Sequence, residues 1–342
     1  MRALWGLWFF YSATSQHRTA LELAERLCAL AARRPDANNR TIGERAVGVS
    51  LHYLGDQPSA RRHIERALAE RDTETHRSHV IRYQIDQGVM ATVFFARILW
   101  LQGFPDQAMR AAKDSVKDAQ TGHHGISLCY ALFLATCPIA LAVGDLAAAE
   151  HYVRILFEQS RRLGLAFWGA WGHAYQGALV IKHGDVPTGL KLLRAGFNGI
   201  GEARSASLRF IELLMAEALG QVGQIDDGLA AIEEAIGHSE RTEERWLIAE
   251  LLRCKGELLL LQGAPGAAAV AEDHLRQAFD WARRQGALSW ELRAATSLAH
   301  LLRDRDRVGE ARDLLTPIYE RFTEGFGTAD LREARRLIDA LP

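Results

Sequence analysis

Proline and cysteine are scarce in this chain, with eight prolines and four cysteines among 342 residues. Low proline beside 48% hydrophobic and 24% charged residues excludes a disordered or fibrous chain. The cysteines, Cys28, Cys129, Cys137 and Cys254, lie far apart among apolar residues without a CxxC pair. They read as reduced, buried small hydrophobes, which places the protein in the cytoplasm. A surplus of one charge is missing too. The formal net charge is −1, so no bulk electrostatic force draws the chain to nucleic acid or an anionic membrane surface.

Catalytic signatures are also lacking. There is no GxxxxGK[ST] loop, and no GxSxG, SxxK or HExxH. The expectation is a protein that is not an enzyme and carries no cofactor. "GFNGIG" at 196–201 is glycine-rich but fits no dinucleotide pattern and reads as a helix end. "TGHHG" at 121–125 offers two adjacent histidines without a third ligand at metal-site spacing, and reads as a loop. Beyond the first residues, no apolar run is expected to reach the ~20 residues of a membrane span. The opening "MRALWGLWFFYSA" has the order of a short signal peptide, yet fits equally the first helix of a repeat. The Asn39 sequon matters only in a secreted protein.

What the chain does have is self-similarity. "GDQPSA" ending at Ala60 has counterparts ending at Ala20, Ala108, Ala149, Gly189, Gly228, Ala268 and Ala311. The step is about 40 residues, stretched to about 48 between the second and third units. Each unit holds an apolar stretch of helical period, a turn, and a second amphipathic stretch. The turns fall near residues 15, 55, 103, 144, 184, 223, 263 and 306. The turn glycine suits the left-handed conformation that closes a helix, and Asp56, Asp145 and Asp185 suit the cap of the next. Small residues seven apart, such as Ala60 with Ala67 and Gly228 with Ala235, share one helix face and allow close approach. Arginine pairs at 33–34, 161–162 and 283–284 complement the negative ends of second helices. One hairpin cannot bury its apolar stripe alone, so neighbours stack. The fold class is all-α, a superhelical solenoid of about eight helical hairpins forming one array over 1–342. Residues 316–342 are its capping region, with Thr328 as N-cap and Leu331, Ala334, Leu337, Ile338 and Leu341 as the buried face of a last helix.

The Gly-x4-Ala-x6-Ala skeleton, clearest at 54–72, resembles the tetratricopeptide repeat, with a period longer than the 34 residues of that repeat. It is more similar to the longer-helix variant in the sensor region of the bacterial maltose-regulon activator. Three C-terminal stretches, starting at Glu244, Arg283 and Thr316, resemble the repeat region of large bacterial signalling ATPases, as does "HRSHVIRYQIDQGV" from His76. There a nucleotide cyclase or winged-helix DNA-binding domain and an NTPase module precede the repeats. The resemblance implies a sensor that controls an NTPase. No NTPase, cyclase or helix-turn-helix motif is present here, so the family's catalytic activity does not carry over. The chain then reads as a detached regulatory region, a reading frame begun at an internal Met, or an independent descendant.

If the units stack as tetratricopeptide repeats do, first-helix positions counted back from each turn line an inner groove. These are Arg45 and His52 in unit two, Met90, Arg97 and Trp100 in unit three, and Glu217 in unit six. Unit seven adds Glu250, Arg253 and Glu257, and unit eight adds Arg293, Thr296, His300 and Arg303. The arginines either take the acidic groups of a peptide or small anion, or pair with neighbouring glutamates. The long step after unit two carries His76, Arg77, His79, Tyr83 and Asp86, a surface excursion or a functional loop. "FWGAWGHAY" at 167–175 reads as core packing. "ALWGLWFF" near the start reads as an apolar outer face, left for self-association or an absent upstream domain. The functional expectation is a protein- or ligand-binding regulatory module, the sensor portion of a signalling ATPase or transcription regulator. The alternative is a fragment of a larger protein inactive by itself. Expected partners are a protein or peptide, an upstream NTPase, cyclase or DNA-binding domain, or a small-molecule effector, with no direct nucleic acid and no membrane.

Overall fold

A left-handed backbone residue stands at each of the eight turns. Six are glycines, from Gly55 to Gly263, and Ser15 and Asp306 take the same conformation where glycine is absent. The structure is a computed structural model and describes residues 1–32, 37–69, 80, 83–201 and 207–341. Among the described residues there are helices and no strands.

The first four hairpins are α1 (Arg2–Ala13) with α2 (His17–Ala32), α3 (Ala37–Leu54) with α4 (Gln57–Ala69), α5 (Gln87–Leu101) with α6 (Pro105–Thr121), and α7 (Gly125–Val143) with α8 (Leu146–Leu163). The next four are α9 (Ala166–Lys182) with α10 (Val186–Ile200), α11 (Leu208–Gln221) with α12 (Ile225–Thr242), α13 (Ile248–Gln262) with α14 (Ala267–Gln285), and α15 (Leu288–Arg303) with α16 (Val308–Tyr319). A single helix, α17 (Ala329–Ala340), follows and packs on α15 and α16.

Local chemistry explains the hairpins. The carboxylates of Asp56, Asp145 and Asp185 accept from the backbone N–H of Ser59, Ala148 and Thr188 at 3.0, 3.0 and 3.1 Å, which satisfies amides left open at each second helix. Ala60 and Ala67 are both fully buried. Between α9 and α10 the backbones touch: a Cβ on Gly177 would come within 2.7 Å of the Gly189 carbonyl oxygen. Arg161–Arg162 and Arg283–Arg284 occupy the last turns of α8 and α14, each ahead of a left-handed glycine. The Arg33–Arg34 pair lies outside the described residues.

Four expectations need correction. In unit seven the longer turn 263–266 shifts the small-residue pair by three positions, so Ala271 and Ala278 are fully buried while Ala268 is only partly so. Thr328 precedes α17, but its side chain makes no capping bond. The helix Gly125–Val143 is 19 residues long and apolar enough to cross a membrane, a run the sequence reading passed over. Its break at Leu132–Thr136 into π-helix and the burial of 72% of its window make it a core helix of this fold. Fourth, the aromatic start is divided. Trp8 is buried and donates Nε1–H to Ser50 Oγ at 3.0 Å, and Trp5 stacks on Phe9, while Leu7 and Phe10 stay exposed.

The superhelix closes on itself. The turns of the first four units rest against linkers of the last ones. Ser15 Oγ donates to Glu244 Oε2 at 3.2 Å, and Arg18 pairs with Glu243. The Tyr53 carbonyl oxygen accepts the Arg245 N–H at 2.8 Å. Ser289 Oγ donates to the Trp100 carbonyl. Glu324 receives both the backbone and side-chain N–H of Gln107, at 2.9 and 3.0 Å, and Gly144 faces Ala329. This ring encloses the site.

Candidate functional site

Closure places six of the expected groove residues, His52, Arg97, Trp100, Glu217, Glu250 and Arg293, around one inner cavity of about 120 Å³. They come from five hairpins. The first helices α3, α5, α11, α13 and α15 carry them inward because each outer face is turned to its partner helix or to solvent.

The charges in this cluster are already engaged. Arg253 donates Nε–H and Nη2–H to Glu250 at 2.9 and 3.0 Å, Nη2–H to Glu217 at 2.7 Å, and lies 2.6 Å from Glu257. Arg293 donates to Glu250 at 2.9 Å and to Asp330 of α17 at 2.7 Å. Its guanidinium also lies over the rings of Trp100 and Trp290. Burial raises the pKa of Glu250, but the two arginines outweigh it and hold the carboxylate ionised. Of the two readings of these side chains, mutual pairing describes Arg253 and Arg293.

Arg97 and His52 form a second polar unit. Arg97 donates Nη1–H to the Leu134 carbonyl at 2.9 Å and Nε–H to His52 Nε2 at 3.2 Å, and its charge sits 4.6 Å from the centre of the Trp246 ring. Since His52 Nε2 accepts, its Nδ1 carries the proton and donates to Gln57 Oε1 at 2.8 Å. Burial, and then the charge of Arg97, push the His52 pKa well below its usual value.

His300 and Arg303 lie apart from this cavity, near the array's end. His300 faces Glu333 at 3.3 Å and Arg303 pairs with Asp304. Thr296 donates to the Leu292 carbonyl of its own helix. In the long step, Tyr83 and Asp86 are buried, with Tyr83 against Trp5 and Asp86 capping α5 through the Val89 N–H at 2.9 Å. His76, Arg77 and His79 lie outside the described residues. His124 caps α7 together with Ser127. Trp168, Trp171 and Tyr175 of the 167–175 stretch are buried in the core.

Arg45 and Met90 belong to a different cavity, of about 680 Å³, lined by residues of the first five hairpins and by Ser207. Its walls are aromatic: Trp5, Trp8, Tyr53, Phe94, Tyr130 and Phe133. The sequence signal for this wall was the tryptophan-rich opening, whose inner half faces α3 rather than an outside partner. Trp246, Trp290 and Asp330, which complete the smaller cluster, sit in linkers or late helices and carry no periodic signal.

No family model matches this chain. A protein of Rhizobium meliloti (strain 1021), described only as uncharacterized, is 34% identical over 154 residues, which are 45% of this chain and 14% of that protein. The chain thus matches a small part of a much longer relative. Among solved structures, a Rap conjugation gene regulator of the plasmid pLS20 in complex with the Phr* peptide superimposes with a TM-score of 0.62 at 10% identity, covering 100% of this chain and 97% of its own. A Rap protein complexed with Competence and Sporulation Factor gives 0.53 at 12% identity, with 90% and 98% covered. Aspartyl phosphate phosphatase F from Bacillus subtilis gives 0.52 at 10% identity, with 93% of each chain covered. The fold is tetratricopeptide-like. At these identities the likeness concerns the fold alone, an all-α tetratricopeptide-like array.

Proposed function

We propose that this chain is a non-catalytic, protein-binding regulatory module that works as the sensor portion of a larger bacterial signalling ATPase or transcription regulator in the cytoplasm. The observation that carries the reading is ring closure. Turns of units one to four rest on linkers of units six to eight, so a partner seated in the ring touches both halves and alters the seam between them. The far longer relative, of which the match covers 14%, supports a further domain joined to these repeats; that it lies upstream belongs to the proposal. The same relative favours the second reading, a segment with no activity when separated. Solved structures of similar fold in complex with the Phr* peptide or with Competence and Sporulation Factor support a peptide or protein ligand for this one.

An immunoblot of native cells with an antibody to the C-terminal repeats tests this. A band several times larger than 38.0 kDa supports a sensor joined to an upstream module. A single band at 38.0 kDa overturns that part and leaves a free-standing binding module. Co-purification of this chain with the upstream module, expressed separately, then separates a sensor from an inert segment.

A further inference from the structure

Arg45 is 2% exposed and makes no hydrogen bond or ion pair, and its Nε–H has no acceptor at all. Its one polar contact is with the face of Trp8, 4.8 Å from the ring centre. A buried arginine without a carboxylate is costly, and folds keep such groups where something else supplies the counter-charge. Here the guanidinium borders the 680 Å³ cavity, a volume within the range of small-molecule sites. The remaining lining is mostly aromatic and aliphatic, and its polar groups are those of Ser12, Thr14, Gln16, Gln87 and Ser207 with the Trp5 indole N–H and the hydroxyls of Tyr53 and Tyr130. Two of those polar groups, Trp5 Nε1 and Gln87 Oε1, also lack partners, one a donor and one an acceptor. Burial alone moves the Arg45 pKa, down to about 9, with no acidic neighbour acting on it. The opposite arrangement holds in the smaller cavity, where every arginine has a carboxylate or carbonyl.

We propose that the large cavity is a binding site for a small organic acid with an apolar, preferably aromatic, body, whose carboxylate pairs with Arg45. The guanidinium fork accepts a carboxylate through two parallel N–H···O bonds, and the rings of Trp8, Phe94 and Phe133 flank the body. A peptide backbone, by contrast, brings a donor and an acceptor at every residue, more than the stretch of wall made by Trp5, Trp8, Phe9, Phe94, Phe133 and Phe167 can satisfy. Exposed Ala13 and Gln16 mark the open side. The inference rests on the sensor reading above by naming its effector, but binding is measured on the chain alone.

The test is calorimetric titration of the full chain with 3-phenylpropanoate, beside its amide and a short peptide with a free C-terminal carboxylate. Saturable binding of the acid, at least tenfold tighter than the amide, is the expected result, with quenching of tryptophan fluorescence. In Arg45→Met the acid should lose that advantage over the amide. Because Arg45→Met also alters the packing against Trp8, Ala13→Phe serves as a second variant that narrows the open side and leaves Arg45 in place. Unchanged affinity in either variant, with an unfolding transition like that of the wild type, overturns the proposal. So does binding of the peptide without binding of the acid. A chain that takes the acid but engages no partner module refutes the sensor reading and leaves this site standing.

Discussion

Arg293 of α15 donates to Glu250 of α13 at 2.9 Å, an ion pair with a buried carboxylate and a half-buried guanidinium that ties the last two hairpins together across the inner surface. Glu250 is 1% exposed and is shared with Arg253, so it neutralises two cations from two units. Replacing it with alanine leaves both arginines short of charge and should lower stability by about 3–5 kcal/mol. Urea denaturation of Glu250→Ala and Glu250→Gln measures this, with the amide retaining part of the loss. A cost below about 1 kcal/mol would mean that Glu217, Glu257 and Asp330 satisfy the arginines without it.

Acid sensitivity should trace in part to His52. Its folded-state pKa is depressed, so the unfolded chain takes up a proton that the native chain refuses. The stability it contributes is present above the unfolded pKa of 6.5 and is lost as pH falls below it, by about 1.4 kcal/mol per pH unit. His52→Gln should flatten that slope by one proton's worth. Equal slopes in the two proteins would show that other groups set it.

Asp306 adopts φ of 59° at the eighth turn, where the other late turns have glycine. It is exposed, so its side chain gains little there. Asp306→Gly should raise stability by about 0.5–1 kcal/mol by relieving the left-handed strain. Ser15 differs, since its hydroxyl reaches Glu244, and glycine there should give no gain. Thermal unfolding of the two variants side by side discriminates between them.

Without its ligand, the Arg45 site should cost the protein stability. Arg45→Met removes an unpaired buried charge while keeping bulk against Trp8, and an increase of about 2 kcal/mol is expected for the ligand-free chain. A decrease of similar size would mean that its contact with Trp8 outweighs its desolvation.

The turns were legible because glycine, aspartate and alanine recur at fixed offsets, and each acts on its immediate neighbours. The same logic failed in unit seven, where "GAPG" adds turn residues and moves the buried pair to Ala271 and Ala278. Counting back from the turns found Arg97, Glu250 and Arg293, which do point inward. Glu250 and Glu257 pair with Arg253 at i−3 and i+4 on its own helix, a spacing the sequence displays, but counting back could not tell that Glu217 joins them from α11 while Arg45 stands alone, since both depend on which helices meet. Trp5 and Trp8 were misread for the same reason. Their wall is completed by Phe94 and Phe133, whose nearness depends on how the hairpins curve.

The seam between early turns and late linkers also limits how this protein can change. An open solenoid tolerates another repeat, since each unit touches only its neighbours. Here an added or deleted hairpin would carry Glu244, Arg245 and Glu324 away from Ser15, Tyr53 and Gln107 together. Repeat number is therefore fixed by circumference, and variation in length should fall in linkers that take no part in the seam, not in those that carry Glu244, Arg245 and Glu324.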